Sequence, residues 1–178
     1  MKQGNCPNME IRKANFGDID ILVSLSWKTF YDSFHHLNTI SNLNAYMNKA
    51  FTRERLLDEL ENENSAFYFA KNTNHVIGYF KINRKDAQTE FKDDTCMEIE
   101  RIYLDQDHQG QGYGTEMLNQ VKLIALDEGL RYLWLGVWEK NARAIQFYQK
   151  NGFDVFSEHE FQMGDEVQID KLMICKLR

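Results

Sequence analysis

Two carboxylates and a glycine-rich turn are the parts of this sequence best suited to chemistry. Glu98 and Glu100 stand two residues apart in Met97-Glu98-Ile99-Glu100-Arg101-Ile102-Tyr103-Leu104, a β-branched and aromatic run that reads as a strand. Residues two apart on a regular strand face the same side. Like charges on one face raise each other's pKa, and partial burial raises it further, toward that of a usable base. A bulge in the strand would change which of the two faces a substrate. The plainer alternative is a solvated pair, or ion pairs with Arg101 or with a lysine across the sheet.

The glycine-rich turn is His108-Gln109-Gly110-Gln111-Gly112-Tyr113-Gly114-Thr115, after the polar stretch Asp105-Gln106-Asp107. Beyond it Met117, Leu118, Val121, Ile124 and Ala125 recur at helical spacing. A strand, a glycine turn and a helix start in that order make a phosphate seat. Glycines admit close approach, successive N–H groups converge, and the helix end adds partial positive charge. The reading is a pyrophosphate site. A nucleoside-triphosphate loop, GxxxxGK[ST], is absent. The dinucleotide pattern GxGxxG fits poorly, because Gly110-x-Gly112 runs directly into Tyr113-Gly114. A nicotinamide- or nucleotide-binding module is therefore the weaker reading.

These groups need a frame. Residues 9–14 alternate weakly as a first strand, and Asp18 is a candidate N-cap. Ile19, Leu22, Val23, Trp27, Phe30 and Phe34 give an amphipathic helix over 19–34. Tyr46, Met47 and Phe51 mark a short second helix, and Thr52 caps a third over 53–62. Segments 67–70 and 76–82 read as a hairpin turning through Lys71-Asn72-Thr73-Asn74-His75. A loop over 86–95 precedes the central strand, 96–104. Helix 113–128 ends at Gly129, strand 132–138 follows, and Asn141 caps helix 142–150. Strands 153–161 and 168–177 close the chain. In strand 132–138, Trp134, Gly136 and Trp138 share one face and Leu133, Leu135 and Val137 the other. The order predicts an α/β domain with a mixed sheet, one domain over 1–178.

Composition narrows the class. The chain has 178 residues, 43% of them apolar, with a single proline, Pro7, and a formal net charge of −6. It is long enough to bury a core and is not linker-like. The acidic balance weighs against broad nucleic-acid binding. No apolar run approaches the ~20 residues that span a bilayer, so no membrane role is expected. Residues 1–7 lack the apolar core of a signal peptide. Cys6, Cys96 and Cys175 are odd in number and far apart, which suits free thiols in a reducing cytoplasm. The histidines show no ligand spacing. His35 and His36 would point apart on a helix, and no metal site is expected.

Gln109-x-x-Gly112-x-Gly114 resembles the Q/R-x-x-G-x-G/A signature of the GNAT superfamily of N-acetyltransferases. Asn141-x-x-Ala144-x-x-x-Tyr148-x-x-x-Gly152-Phe153 resembles a second string of the same family. Both occur in the family's order. The resemblance implies a mostly antiparallel mixed sheet, flanked by helices, whose fourth and fifth strands splay to admit acetyl-CoA. Gln109, Gly110, Gln111, Gly112, Tyr113, Gly114 and Thr115 would then hold the pyrophosphate of coenzyme A. The backbone of Ile102, Tyr103 and Leu104 would pair with pantetheine like a missing strand. Asn141 would bond the cofactor, and Ala144 and Phe147 would line its channel; Lys150 and Arg143 are candidates for its 3′-phosphate, against the plainer reading of a solvated helix face. Tyr148 would be the general acid, its phenol holding a proton at neutral pH. Glu98, eleven residues before Gln109, stands where some members carry a catalytic glutamate.

A closer similarity is to the bacterial Pai-type spermidine/spermine N-acetyltransferases. It is carried by Glu98-Ile-Glu-Arg-Ile-Tyr103, Trp134-Leu-Gly-Val-Trp-Glu-Lys-Asn141, His159-Glu-Phe-Gln-Met-Gly-Asp-Glu-Val-Gln-Ile-Asp170 and Thr29-Phe-Tyr-Asp-Ser-Phe34. It implies transfer of acetyl to a primary amine by direct attack in a ternary complex. Glu98 or Glu100 would take the amine proton, and a second copy of the chain is an expected partner. A flexible polycation needs carboxylates and aromatic faces. Phe30, Tyr31, Asp32, Tyr46, Glu90 and Trp138, with Glu139, are the expected set. Acceptors such as protein N-termini, other small amines or an antibiotic stay open. So does a non-catalytic acyl-CoA-binding regulator.

Overall fold

The computed structural model describes residues 8–73 and 75–177. Its elements are β1 (Glu10–Lys13), α1 (Ile19–Phe34), α2 (Ile40–Ala50), α3 (Arg53–Glu61), β2 (Ser65–Asn72), β3 (His75–Arg84), β4 (Cys96–Leu104), α4 (Tyr113–Asp127), β5 (Tyr132–Trp138), α5 (Ala142–Lys150), β6 (Asp154–Met163) and β7 (Glu166–Lys176). All seven strands form one sheet, ordered β1-β2-β3-β4-β5-β7-β6. Every neighbouring pair is antiparallel except β4 and β5, which α4 joins as a crossover. The mixed sheet and its splayed centre are as expected.

Alternation divides the sheet between two cores. On one side Met97, Ile99, Leu133, Leu135 and Val137 pack under Met117, Leu118 and Val121 of α4 and Tyr148 of α5. On the other, Phe67, Phe69 and Tyr79 pack under Leu22 and Leu25 of α1 and Leu56 of α3. A third, aromatic cluster of Phe30, Leu43, Met47, Phe51 and Met163 ties α1 and α2 to β6.

Two irregularities in β4 shape the centre of the molecule. Lys81 pairs with Arg101 but Ile82 pairs with Ile99, so Glu100 is an extra residue in β4. Such a bulge bends and twists its strand. Beyond it the ladder to β5 is absent: the parallel pairing covers only Cys96/Tyr132, Met97/Leu133 and Glu98/Trp134. β5 meanwhile stays paired with β7 out to Trp138/Asp170. From Ile99 to Leu104 the β5 side of β4 is therefore an open edge. Gly78 fixes the other side, since a Cβ there would stand 2.5 Å from the Tyr103 carbonyl oxygen.

Local details differ from expectation in instructive ways. Asp18 does not cap α1. Its carboxylate accepts from the Asn15 N–H at 2.9 Å and pairs with Arg12, while Asn15 caps the intervening turn Phe16–Asp18. Thr39 and Thr52 cap α2 and α3. His35 and His36 lie in the hydrogen-bonded turn just past the end of α1, and their rings meet at 5.4 Å rather than diverging. The 71–75 connection is shorter than expected because both strands run into it; Asn74 lies outside the described residues, as do Cys6 and Pro7. No helix of the described residues is long and apolar enough to cross a membrane.

Candidate active site

The bulge puts Glu98, Glu100 and Arg101 on the α1–α3 side of β4, in a buried network of charges. Arg101 donates to Glu59 of α3 at 2.8 and 3.0 Å and pairs with Glu100 at 2.9 Å. Lys81 of β3 pairs with both Glu59 and Glu100. Asn83 bridges the carboxylates, donating to Glu98 at 3.0 Å and to Glu100 at 2.6 Å. Their environments push their pKa values apart. Burial raises that of Glu98, only partly offset by donors from Thr89 and Asn83. Burial would raise Glu100 too, but Arg101 and Lys81 outweigh it and hold the carboxyl at about 2. The expected mutual raising thus operates weakly on Glu98 and is reversed at Glu100. Glu98 is also enclosed, 3% exposed, with Thr89 donating from its N–H at 2.9 Å and its hydroxyl at 2.6 Å.

The glycine turn lies at the end of the open edge. Gly110 and Gly112 have φ of 76° and 91°, a region that favours glycine. Gly112 serves as N-cap of α4 without any capping side chain. The first amide of α4 with a backbone acceptor outside the helix is Glu116, which donates to Gly112 O at 3.1 Å. The amides of Gly110, Gln111, Gly112, Tyr113, Gly114 and Thr115 meet no acceptor among the described residues. A row of free N–H groups at a helix start fits an anionic diphosphate. A Cβ at Gly110 would meet nothing within 4 Å, so the seat is open. Two glutamines brace the turn from within: Gln109 donates to Leu104 O at 3.1 Å and Gln111 to Asp107 O at 2.9 Å. Tyr113 is buried against the core.

The second wall of the cleft is α5. Asn141 caps it, accepting from the Ala144 N–H at 3.1 Å. The Phe147 ring lies 3.6 Å from where a Cβ of Gly114 would stand, which brings the start of α4 against the middle of α5. Ile102, Leu104, Ala144 and Phe147 are all half-buried around this contact. Tyr148 is buried beside Phe147 and Phe153, and its hydroxyl makes no hydrogen bond among the described residues. Burial pushes its pKa up, so the phenol keeps its proton at neutral pH. Lys150 and Arg143 are exposed on α5.

Across the sheet lies an aromatic cluster. Phe30 stacks on Tyr46 at 4.9 Å, and Tyr46 meets Phe161 at 5.5 Å. Phe34 contacts both Tyr103 and Trp138, at 6.5 and 6.4 Å. Phe30, Tyr46 and Trp138 are thus brought together as expected. Tyr31 and Asp32 are not, because successive residues on a helix diverge by about 100°. Tyr31 is 40% exposed and stacked on His35, while Asp32 pairs with Lys28 on the outer face. Glu90 meets none of these rings and bonds to His159 at 2.7 Å, and Glu139 is exposed. Sequence reasoning did not single out Phe34, Phe161, Glu59, Asn83 or Asp170 for the site, and it valued Tyr103 only for its backbone. The i, i+4 pair Phe30/Phe34 was the available signal for one of them. Phe161, Asn83 and Asp170 depend on strand register, and Glu59 on how α3 packs over the sheet.

Comparison with known proteins bears on this arrangement. Residues 23–153 match the model of the acetyltransferase (GNAT) family. An uncharacterized N-acetyltransferase of Lactobacillus delbrueckii subsp. lactis is 36% identical over 165 residues, spanning 93% of this chain and 95% of its own. A spermine/spermidine N(1)-acetyltransferase of Bacillus subtilis is 31% identical over 75 residues, 42% of this chain and 49% of its own. Among solved structures, the PaiA N-acetyltransferase of Thermoplasma acidophilum in complex with coenzyme A superposes with a TM-score of 0.78. It is 21% identical, with 95% of this chain and 99% of that one covered.

Proposed function

The chain belongs to the acetyltransferase (GNAT) family and is an acetyl-CoA-dependent N-acetyltransferase, and we propose that its acceptor is a primary amine of a polyamine such as spermidine or spermine. The observation that carries this reading is the aromatic cluster of Phe30, Phe34, Tyr46, Tyr103 and Trp138 beside the Glu98–Glu100 network. Aromatic faces and carboxylates together suit an alkyl polycation. The short similarity to the spermine/spermidine N(1)-acetyltransferase points the same way.

Acetyl-CoA supplies an acyl group activated as a thioester. The free amides from Gly110 to Thr115 would hold its diphosphate, and the open edge of β4 would hold its amide-bearing arm. Tyr148 keeps a proton that it can give to a departing thiolate. Glu100 stays ionised because Arg101 and Lys81 pair with it, and so anchors the strand that carries Glu98. Glu98, with its raised pKa, takes the amine proton through water, since its own oxygens are enclosed. Direct attack by the amine agrees with the state of Cys96 and Cys175: both are buried and their thiol pKa values are pushed up by burial, which suits neither to carry the acyl group.

The test is a panel of acceptors in an assay of thiol release from acetyl-CoA. Spermidine and spermine are expected to give the highest kcat/KM. Turnover of peptides with free N-termini or of aryl amines, with none of polyamines, would overturn the polyamine reading and leave the family activity standing.

A further inference from the structure

Asp170 of β7 differs from the other carboxylates near the aromatic cluster. Glu59, Glu98 and Glu100 each accept hydrogen bonds from named donors. Asp170 accepts none among the described residues, although its side chain is only 17% exposed. Its ion partner is His159 of β6, whose Nε2 stands 3.9 Å away, beyond hydrogen-bond reach. That imidazole is held from its other side, where Nδ1 meets Glu90 at 2.7 Å. Burial pushes the Asp170 pKa up to about 6, with His159 pulling it down. A carboxylate enclosed to this degree without a donor is costly until a cation reaches it.

The surroundings leave room for such a cation. In β5, Trp138 lies directly opposite Asp170, so the two side chains share a face. Two residues earlier on that face is Gly136, which is exposed; a Cβ there would stand 3.5 Å from the Asp170 Oδ2. In β6, His159 is the register partner, and Phe161 follows on the same side against Tyr46 of α2. The charge of Asp170 reaches the Tyr46 phenol. One carboxylate lacking a donor thus faces the space over Gly136, flanked by aromatic side chains from β5, β6 and α2. This is the arrangement that holds an alkyl ammonium.

We infer that Asp170 binds a second cationic nitrogen of the acceptor, the one that is not acetylated, and so selects polyamines over monoamines. The inference rests on the polyamine reading above and names the residue that enforces it. The carboxylate forms a charge-assisted hydrogen bond with the distal nitrogen, while Trp138 and Tyr46 flank the alkyl chain. His159, held from its other side by Glu90, stands 3.9 Å off and leaves the carboxylate free to accept.

The experiment compares kcat/KM for spermidine and for butylamine in the wild-type enzyme and in Asp170→Asn, which is isosteric and uncharged. The wild type is expected to prefer spermidine, and the variant to lose at least tenfold of that preference, mostly as a rise in KM for spermidine. Calorimetric binding of coenzyme A reports that the variant is folded. If it is not, Gly136→Ala serves instead, because its methyl meets Asp170 and Leu172 only at ordinary contact distances while crowding the carboxylate. It should lower the same preference severalfold. A wild type that prefers spermidine, with the preference intact in the variant, would overturn the role of Asp170 and leave the polyamine reading in place. A wild type without that preference would overturn both.

Discussion

At the scale of single residues, the site separates its proton-handling groups by environment. Tyr148 sits in apolar surroundings that keep it protonated, Glu98 is raised by burial, and Glu100 is held at about 2 by Arg101 and Lys81 beside it. Tyr148→Phe should lower kcat by about 10²-fold, as loss of a general acid does, while coenzyme A affinity by calorimetry stays near that of the wild type. An unchanged kcat would remove the phenol from the reaction. Glu98→Gln should move the pH dependence of kcat/KM toward alkaline conditions, where solvent supplies the free amine near the usual ammonium pKa of about 10. A profile identical to the wild type would take the base role from Glu98. Glu100 has a structural consequence as well. Its folded pKa lies below the ordinary 4.5, so it adds stability that is present above that value and lost as pH falls toward about 2. Glu100→Gln should cost about 3 kcal/mol at pH 7 by leaving Lys81 and Arg101 underpaired, and the deficit should shrink at pH 3. Urea unfolding at the two pH values measures it.

At the scale of elements, the site depends on where β4 leaves its neighbour. The alternation of Glu98 and Glu100, the glycine turn and the Asn141 cap were legible in the sequence because each is a local pattern. The bulge at Glu100 was not: nothing in Glu98-Ile-Glu-Arg reveals that β3 skips a residue opposite it. Nor was the apposition of Trp138 and Asp170, which are thirty-two residues apart and meet only through the register of β5 and β7. Tyr31 and Asp32 were placed with Phe30 by proximity in the chain, where helical rotation separates them. The turn itself is testable. Gly112→Ala puts a side chain on a residue at φ 91°, at a cost of roughly 1–2 kcal/mol, and should weaken coenzyme A binding by about tenfold or more in calorimetry as the amide row is disturbed. Affinity equal to the wild type would separate the turn from the cofactor.

At the scale of the whole molecule, the open edge of β4 lies between two separately packed cores. One, under α4 and α5, carries Phe147 and Tyr148, proposed to face the cofactor; the other, under α1 to α3, carries the aromatic cluster proposed to face the acceptor. In the proposed reaction the two substrates approach from opposite sides of the sheet and meet where β4 and β5 part. That division requires both substrates to be present before any bond changes, with the amine attacking directly. The measurement that bears on it most directly is the initial rate of thiol release with acetyl-CoA and spermidine both varied. Intersecting double-reciprocal lines, with no release in the absence of amine, are the expected result. Parallel lines, which mark an acyl-enzyme passed from one substrate to the next, would contradict the account.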